Sequence, residues 1–459
     1  MTQTGPCEGH LAPIDLSAPP GHRHSVLVIR LCLLWYLDAH VSLRGVGQIL
    51  LSLINLLGCL LPLSLPYHQT VRSWLLRCGL FLLRRMVPSR GDWVWILDCT
   101  IRIGQHKCLL ILGASLDDLQ GCQDGLEHHQ VTVLDLYVSA HCTGLDVNAR
   151  LEGLAQRIGE PAQIVYDHGS DLSKGVRLFQ AAHPEVVDTY DVTHKLALLV
   201  KAELEPDPRW AEFLRLCTSC LFQLQQSRGA FLTPPSPRSL ARYMNVDRET
   251  DWACRMLGLL DLQEKTEVAG LLGLGEEEAR CWLEEKLGWL RDFRQEVGRY
   301  QRLLGCVEVV QQEVKNHGLA QQTAQEVFCQ LAPEALQDAS LAEFLSGLRG
   351  YLQEEGSKVP PGQSWLGTSD VIESLFGKYK WFGEKAPYAE VGASVLTLPV
   401  LTVDLTAEMV REAMVSVSVQ DVRDWVAQNI GPSTLSKVSA ISAIVNEHDN
   451  PSCPDTDSG

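Results

Sequence analysis

Trp93-Val94-Trp95-Ile96-Leu97-Asp98 decides the fold. From Asp92 the hydrophobic period changes from 3.6 to 2, so these six residues read as a strand. A carboxylate ends the apolar run, and burying it without a compensating partner would be costly. Asp98 therefore needs a reason beyond packing.

Two further runs of the same period follow, 108–113 and 131–138, with short polar connections that suggest an antiparallel meander. Beyond them come a helix at 146–158, a strand at 163–167, a helix at 171–182 and a strand at 186–190. Three strands followed by alternating helices and strands indicate an α/β fold with a mixed sheet and flanking helices.

Upstream, 42–57 and 67–83 carry helical apolar stripes around the turn residues of 58–66. The second helix has His68, Gln69, Arg72, Ser73 and Arg77 available on its polar side, an arrangement that lets a helix enter the DNA major groove. An ordinary helical hairpin gives the same pattern. Downstream, 195–350 shows no convincing strand and reads as an all-helical insertion, closed by the breaker cluster 356–362. A helix then starts at Ser369 and runs through Lys380, and a last helical region covers 406–430. The expected division is a flexible leader (1–25), a helix-turn-helix-like domain (26–90), the first part of the sheet domain (91–200), the insertion (201–362), a helix completing the sheet domain (363–385), a C-terminal helical region (386–445) and a disordered tail (446–459).

The chain has 459 residues, of which 46% are hydrophobic, and a net charge of −17. That length suggests about three domains, and the composition excludes wholesale disorder, a collagen-like chain and a small disulfide scaffold. The fifteen cysteines are odd in number and scattered through apolar contexts, as reduced core thiols of a cytosolic protein would be. Cys217 and Cys220 have a CxxC spacing but no second pair, which favours a helical core pair over zinc. The N-terminus lacks the apolar run of a signal peptide. The strongest apolar stretch, 49–65, is interrupted by Asn55, Gly58 and Pro62, so no membrane association is expected. The negative charge argues against a polyanionic partner only if it is evenly spread. It is not: residues 1–90 carry eight arginines against three acids, whereas 251–355 carries 19 acids against 10 basic residues.

Three acids stand out by position. Asp98 closes the first strand, Asp167 closes the fourth, and Glu373 lies on a short helix whose Ile372, Leu375 and Phe376 can dock on a sheet. Carboxylates so placed can converge on divalent cations, which prefer hard oxygen ligands. Two such ions about 3.5–4 Å apart serve phosphodiester cleavage. Asp171 competes with Asp167, though N-capping explains it as well. His128-His129 lacks a third spaced ligand, 273–278 lacks the ending of a phosphate loop, and no serine or cysteine sits in a nucleophile elbow. Lys378 and Lys380 could hold phosphates, with Tyr379 or Trp381 stacking a base.

Leu97-Asp98-Cys99-Thr100 with Gly104 and Lys107, Tyr166-Asp167-His168-Gly169-Ser170-Asp171-Leu172, and Ile372-Glu373-Ser374-Leu375-Phe376-Gly377-Lys378 together resemble a DDE transposase with a ribonuclease H-like core. The insertion between the second and third acids is similar to that of hAT-type transposases, and Tyr190-Asp191-Val192-Thr193-His194-Lys195 looks like the histidine-bearing element that precedes it there. The resemblance implies Asp98, Asp167 and Glu373 as catalytic and metal-binding residues. It implies two Mg²⁺ ions, with Mn²⁺ as a substitute. Asp171, Asp191 and His194 are candidate accessory residues that could assist the site or orient DNA, and Asp191 with His194 reads equally as a buried structural pair. The resemblance further implies double-stranded DNA as partner, a homodimer or larger homo-oligomer on that DNA, and a location in the bacterial cytoplasm on the nucleoid. A transposase-derived DNA-binding protein without cleavage activity is the alternative.

Overall fold

The computed structural model describes residues 15–57, 64–101, 106–119, 125–236, 246–383, 391–432 and 434–449. Residues 1–14 of the leader, 58–63 of the turn, Gly104 and 450–459 of the tail lie outside them.

Three helices, α1 (Val26–Leu37), α2 (Leu43–Leu57) and α3 (His68–Arg84), precede the sheet. The strands are β1 (Trp93–Ile101), β2 (Lys107–Ser115), β3 (Thr132–Ser139), β4 (Gln163–Tyr166) and β5 (Val187–Tyr190). Their order is β3-β2-β1-β4-β5, with β1 to β3 antiparallel and β4 and β5 parallel to β1. The result is the mixed sheet that the change of period predicts.

Alternation along β1 assigns its two faces. Trp93, Trp95 and Leu97 pack with α4 (Gly144–Ile158) and α5 (Ser170–Ala182), through Leu151, Val176 and Phe179. Val94 and Ile96 face the other way, toward Ile372, Leu375, Phe376 and Tyr379. Each fully buried aliphatic or aromatic side chain contributes roughly 1.5–3 kcal/mol, so both faces are strongly specified. A one-residue slip of β1 would exchange its two sets of side chains.

After β5, α6 (Val192–Leu204) leads into the helical insertion, which has its own large core from Leu196 and Phe213 to Tyr300 and Leu352. Cys217 and Cys220 are buried thiols in that core. The chain returns through a bridge between Leu319 and Trp365, and then enters α7 (Asp370–Gly383). Helices α8 (Ala407–Ser416), α9 (Val419–Asn429) and α10 (Thr434–Asp449) follow. None of the described helices is long and apolar enough to cross a membrane.

The N-terminal helices differ from the helix-turn-helix expectation. From Trp74 to Leu80 every residue of α3 is buried, so most of this helix has no free face to lay in a groove. It packs with α1 and α2 and with Val400, Val410, Ala413 and Met414, so segments more than 300 residues apart in sequence share one core. At Gly79 an added Cβ would collide with the backbone of Leu396. The described part of the leader is also attached, with Asp15 paired to Arg411 and His22 3.2 Å from the Met414 carbonyl.

Candidate active site

The two strand-end acids are brought together by register. β1 and β4 are parallel neighbours whose last paired residues are Leu97 and Tyr166, so Asp98 and Asp167 each stand one residue beyond that pair. Asp98 follows Ile96 by two residues and Asp167 follows Val165 by two, and both of those face α7. Glu373 lies in the first turn of α7, whose Ile372, Leu375 and Phe376 anchor it on the sheet. Strand alternation ahead of Asp98 and Asp167, together with the docking of α7, thus directs all three acids to one side of the sheet.

The electrostatics of the pair are unfavourable as the chain stands. Among the described residues, Asp98 and Asp167 have only backbone donors: the Cys99 N–H lies 2.6 Å from Asp98 Oδ1 and the Gly169 N–H 2.8 Å from Asp167 Oδ1. Burial and the charge of Asp167 push the Asp98 carboxyl up to about 6, against the opposing pull of Cys99 N–H, His194 and Lys380. Hard oxygen donors that repel one another in a half-buried setting suit a divalent cation. In the present arrangement no three His, Cys, Asp or Glu side chains among the described residues converge closely enough to hold one metal ion.

His194 connects the third acid to the rest. Its Nδ1 is 3.1 Å from Asp191 Oδ1 and 3.6 Å from Glu373 Oε1. Asp191 is fully buried at the N-cap of α6, where Oδ1 accepts the His194 N–H and Oδ2 accepts both the N–H and the hydroxyl of Ser369. Burial favours its neutral form, yet these hydrogen bonds from His194 and Ser369 hold its carboxyl below the ordinary value. Thr193 Oγ1 adds a bond to Asp370 at 3.2 Å, and the Val192 N–H donates to the Gly367 carbonyl. The start of α6 therefore latches the start of α7 and sets where Glu373 sits. Sequence reasoning singled out Asp191 and His194 but missed Ser369, whose only signal is its place at a helix start.

Asp171 is separated from Asp167 by its partner. The N-cap of α5 is Gly169, with no side-chain cap, so N-capping does not explain Asp171. Its carboxylate instead meets Lys107 Nζ of β2 at 3.3 Å.

The proposed DNA-contacting residues also divide. Gln69 and Arg72 are exposed near the start of α3 and His68 is half-buried. Arg77 is buried, and its guanidinium donates to the carbonyls of Met414 and Val417, so it is not offered to a phosphate. The sequence shows a polar stripe there and cannot show the C-terminal helices that cover it. Lys380 is exposed and acts on Asp98, whereas Lys378 points elsewhere, with Nζ 3.0 Å from His128 Nδ1. His128, Ser374 and Lys378 line a separate polar pocket of about 600 Å³ with Lys315, Asp370 and Asp404. Tyr379 is buried against the sheet and is not available to stack a base. Trp381 rests on His40 and Phe382, tying α7 to the N-terminal helices.

No family model and no curated protein matches the chain. Among solved structures it is similar to the Drosophila P element transposase strand transfer complex, with a TM-score of 0.39 and 12% identity over 84% of this chain and 92% of that one.

Proposed function

We propose that this chain is a DDE-type transposase that binds element-end DNA and cleaves and joins phosphodiester bonds with a divalent metal, Asp98, Asp167 and Glu373 being its acids. The observation that carries the reading is the pairing of Asp98 and Asp167 at the ends of adjacent parallel strands, on the face where α7 presents Glu373. The strand order with an antiparallel β1–β3 and a parallel β4 and β5 fits a ribonuclease H-like core, and the helical insertion falls between the second and third acids.

Asp98 and Asp167 would hold the metal, Mg²⁺ or Mn²⁺, with Glu373 as third ligand. When bound, such ions neutralise charge on the transferring phosphate and its entering and leaving oxygens. The chain's own residues do the rest. The apolar walls of β1 and α7 limit water around Asp98, Asp191 fixes the His194 ring against Glu373, and Lys380 supplies positive charge beside the acids for a scissile phosphate. Gln69 and Arg72, with His68 beside them, offer a DNA contact at the end of α3 rather than along it.

The test is nicking of end-containing duplex in Mg²⁺. Wild type should nick, and Asp98→Ala should lose about 100-fold or more, since several kcal/mol of transition-state stabilisation depend on the metal. The separation of the three acids in the present arrangement favours a second reading, a DNA-binding derivative without cleavage. Duplex binding without metal-dependent nicking by wild type would establish that reading instead.

A further inference from the structure

The residue next to Asp167 is held in an unusual way. His168 has a φ of 57°, in the left-handed region that few non-glycine residues adopt. Its ring is stacked on both sides: the Tyr166 ring lies 4.3 Å away at 21° and the Tyr190 ring 4.0 Å away at 4°. Its Nε2 is 3.4 Å from Asp188 Oδ2 on β5. Asp188 and Tyr190 are themselves held by the insertion. Lys358 Nζ, at the end of the insertion, lies 3.1 Å from the Asp188 carbonyl and 3.7 Å from its carboxylate, and the Tyr351 hydroxyl donates to the Tyr190 carbonyl at 2.8 Å.

The left-handed residue makes the chain turn directly after Asp167. That turn brings the Gly169 N–H back to Asp167 Oδ1 at 2.8 Å, which fixes the rotamer of the carboxylate. We propose that His168 is a positioning residue: its clamped ring imposes the left-handed turn that aims Asp167 at the divalent cation. This rests on the reading of Asp98 and Asp167 as metal ligands. It also gives the insertion a function at the site, because Lys358 and Tyr351 carry its far end onto the partners of His168.

The test is calorimetric titration of Mn²⁺ into the full chain, as wild type, Asp167→Ala, His168→Leu and His168→Asn, with the melting temperature of each. Wild type should bind Mn²⁺ and Asp167→Ala should not. His168→Leu, which loses the ring stacked between Tyr166 and Tyr190 and disfavours the left-handed backbone, should bind about 10-fold more weakly or worse at temperatures where it is folded, as removal of an orienting partner does. His168→Asn tolerates that backbone and should recover part of the affinity. Should His168→Leu fail to fold, Asp188→Asn carries the same expectation of weakened binding. A lower melting temperature with Mn²⁺ affinity unchanged would make His168 merely structural and overturn the proposal while leaving the carboxylate reading intact. Absence of Mn²⁺ binding by wild type would overturn both.

Discussion

At the scale of single residues, Asp98 combines the chemistry of the site with a cost to the fold. Its carboxyl is pushed up to about 6 by burial and by Asp167, so charging it is harder in the folded chain than in the unfolded one. The sign of the stability effect follows. Below about pH 4 the group is neutral in both states and its charge has no effect, and above about pH 6 it is charged and destabilising. Asp98→Asn should therefore raise the metal-free melting temperature at pH 8, by the equivalent of about 1–3 kcal/mol, and the gain should vanish as pH falls to about 4. Thermal unfolding at the two pH values checks this, and an equal effect at both would contradict it. Arg72 and Arg77 form a second contrast. Arg72→Ala should weaken duplex binding and lower its salt slope by about 1, as loss of one phosphate contact does. Arg77→Ala should leave the slope unchanged and cost stability, because its guanidinium satisfies the Met414 and Val417 carbonyls. A salt titration of both variants separates the two.

Among the elements, α3 departs furthest from what its sequence suggests. If it is a core helix packed on 393–400, Gly79→Ala should destabilise the chain by about 1–3 kcal/mol through overpacking against Leu396. Denaturant unfolding measures this, and a neutral substitution would argue for a helix with an open face. At the end of α5, His183 sits between Glu152 at 3.1 Å and Glu160 at 2.9 Å. Burial opposes its charge, but the hydrogen bonds to these two acids raise its pKa above the ordinary value. Its contribution is thus present below the unfolded value of 6.5 and lost as pH rises through the folded one. His183→Gln should cost under about 1 kcal/mol at pH 6, since Glu160 is exposed and screened, and less still at alkaline pH. What was legible in the sequence follows from range. The strands and helices of the sheet domain announce themselves by local period, and Asp98, Asp167 and Glu373 by interrupting or flanking apolar runs. The burial of Arg77 comes from residues 337 and 340 positions away, and the Asp191–Ser369 latch spans 178 positions. No local pattern carries such contacts.

Across the whole molecule, the N-terminal helices and residues 400–414 share one core around α3, and the sheet carries helices on both faces while the insertion keeps a core of its own. The net charge of −17 is uneven in sequence, with the first ninety residues basic and the insertion acidic, so the balance of the whole chain does not decide whether it meets DNA. The proposed function requires that strand register and the α6–α7 latch allow Asp98, Asp167 and Glu373 to gather around a divalent cation. Anomalous diffraction from crystals of the full chain grown in Mn²⁺ locates the cation directly. The expected result is a peak bounded by the carboxylates of Asp98 and Asp167 with Glu373 drawn in to meet it. A peak bound elsewhere, or none at saturating Mn²⁺, would contradict the proposed function.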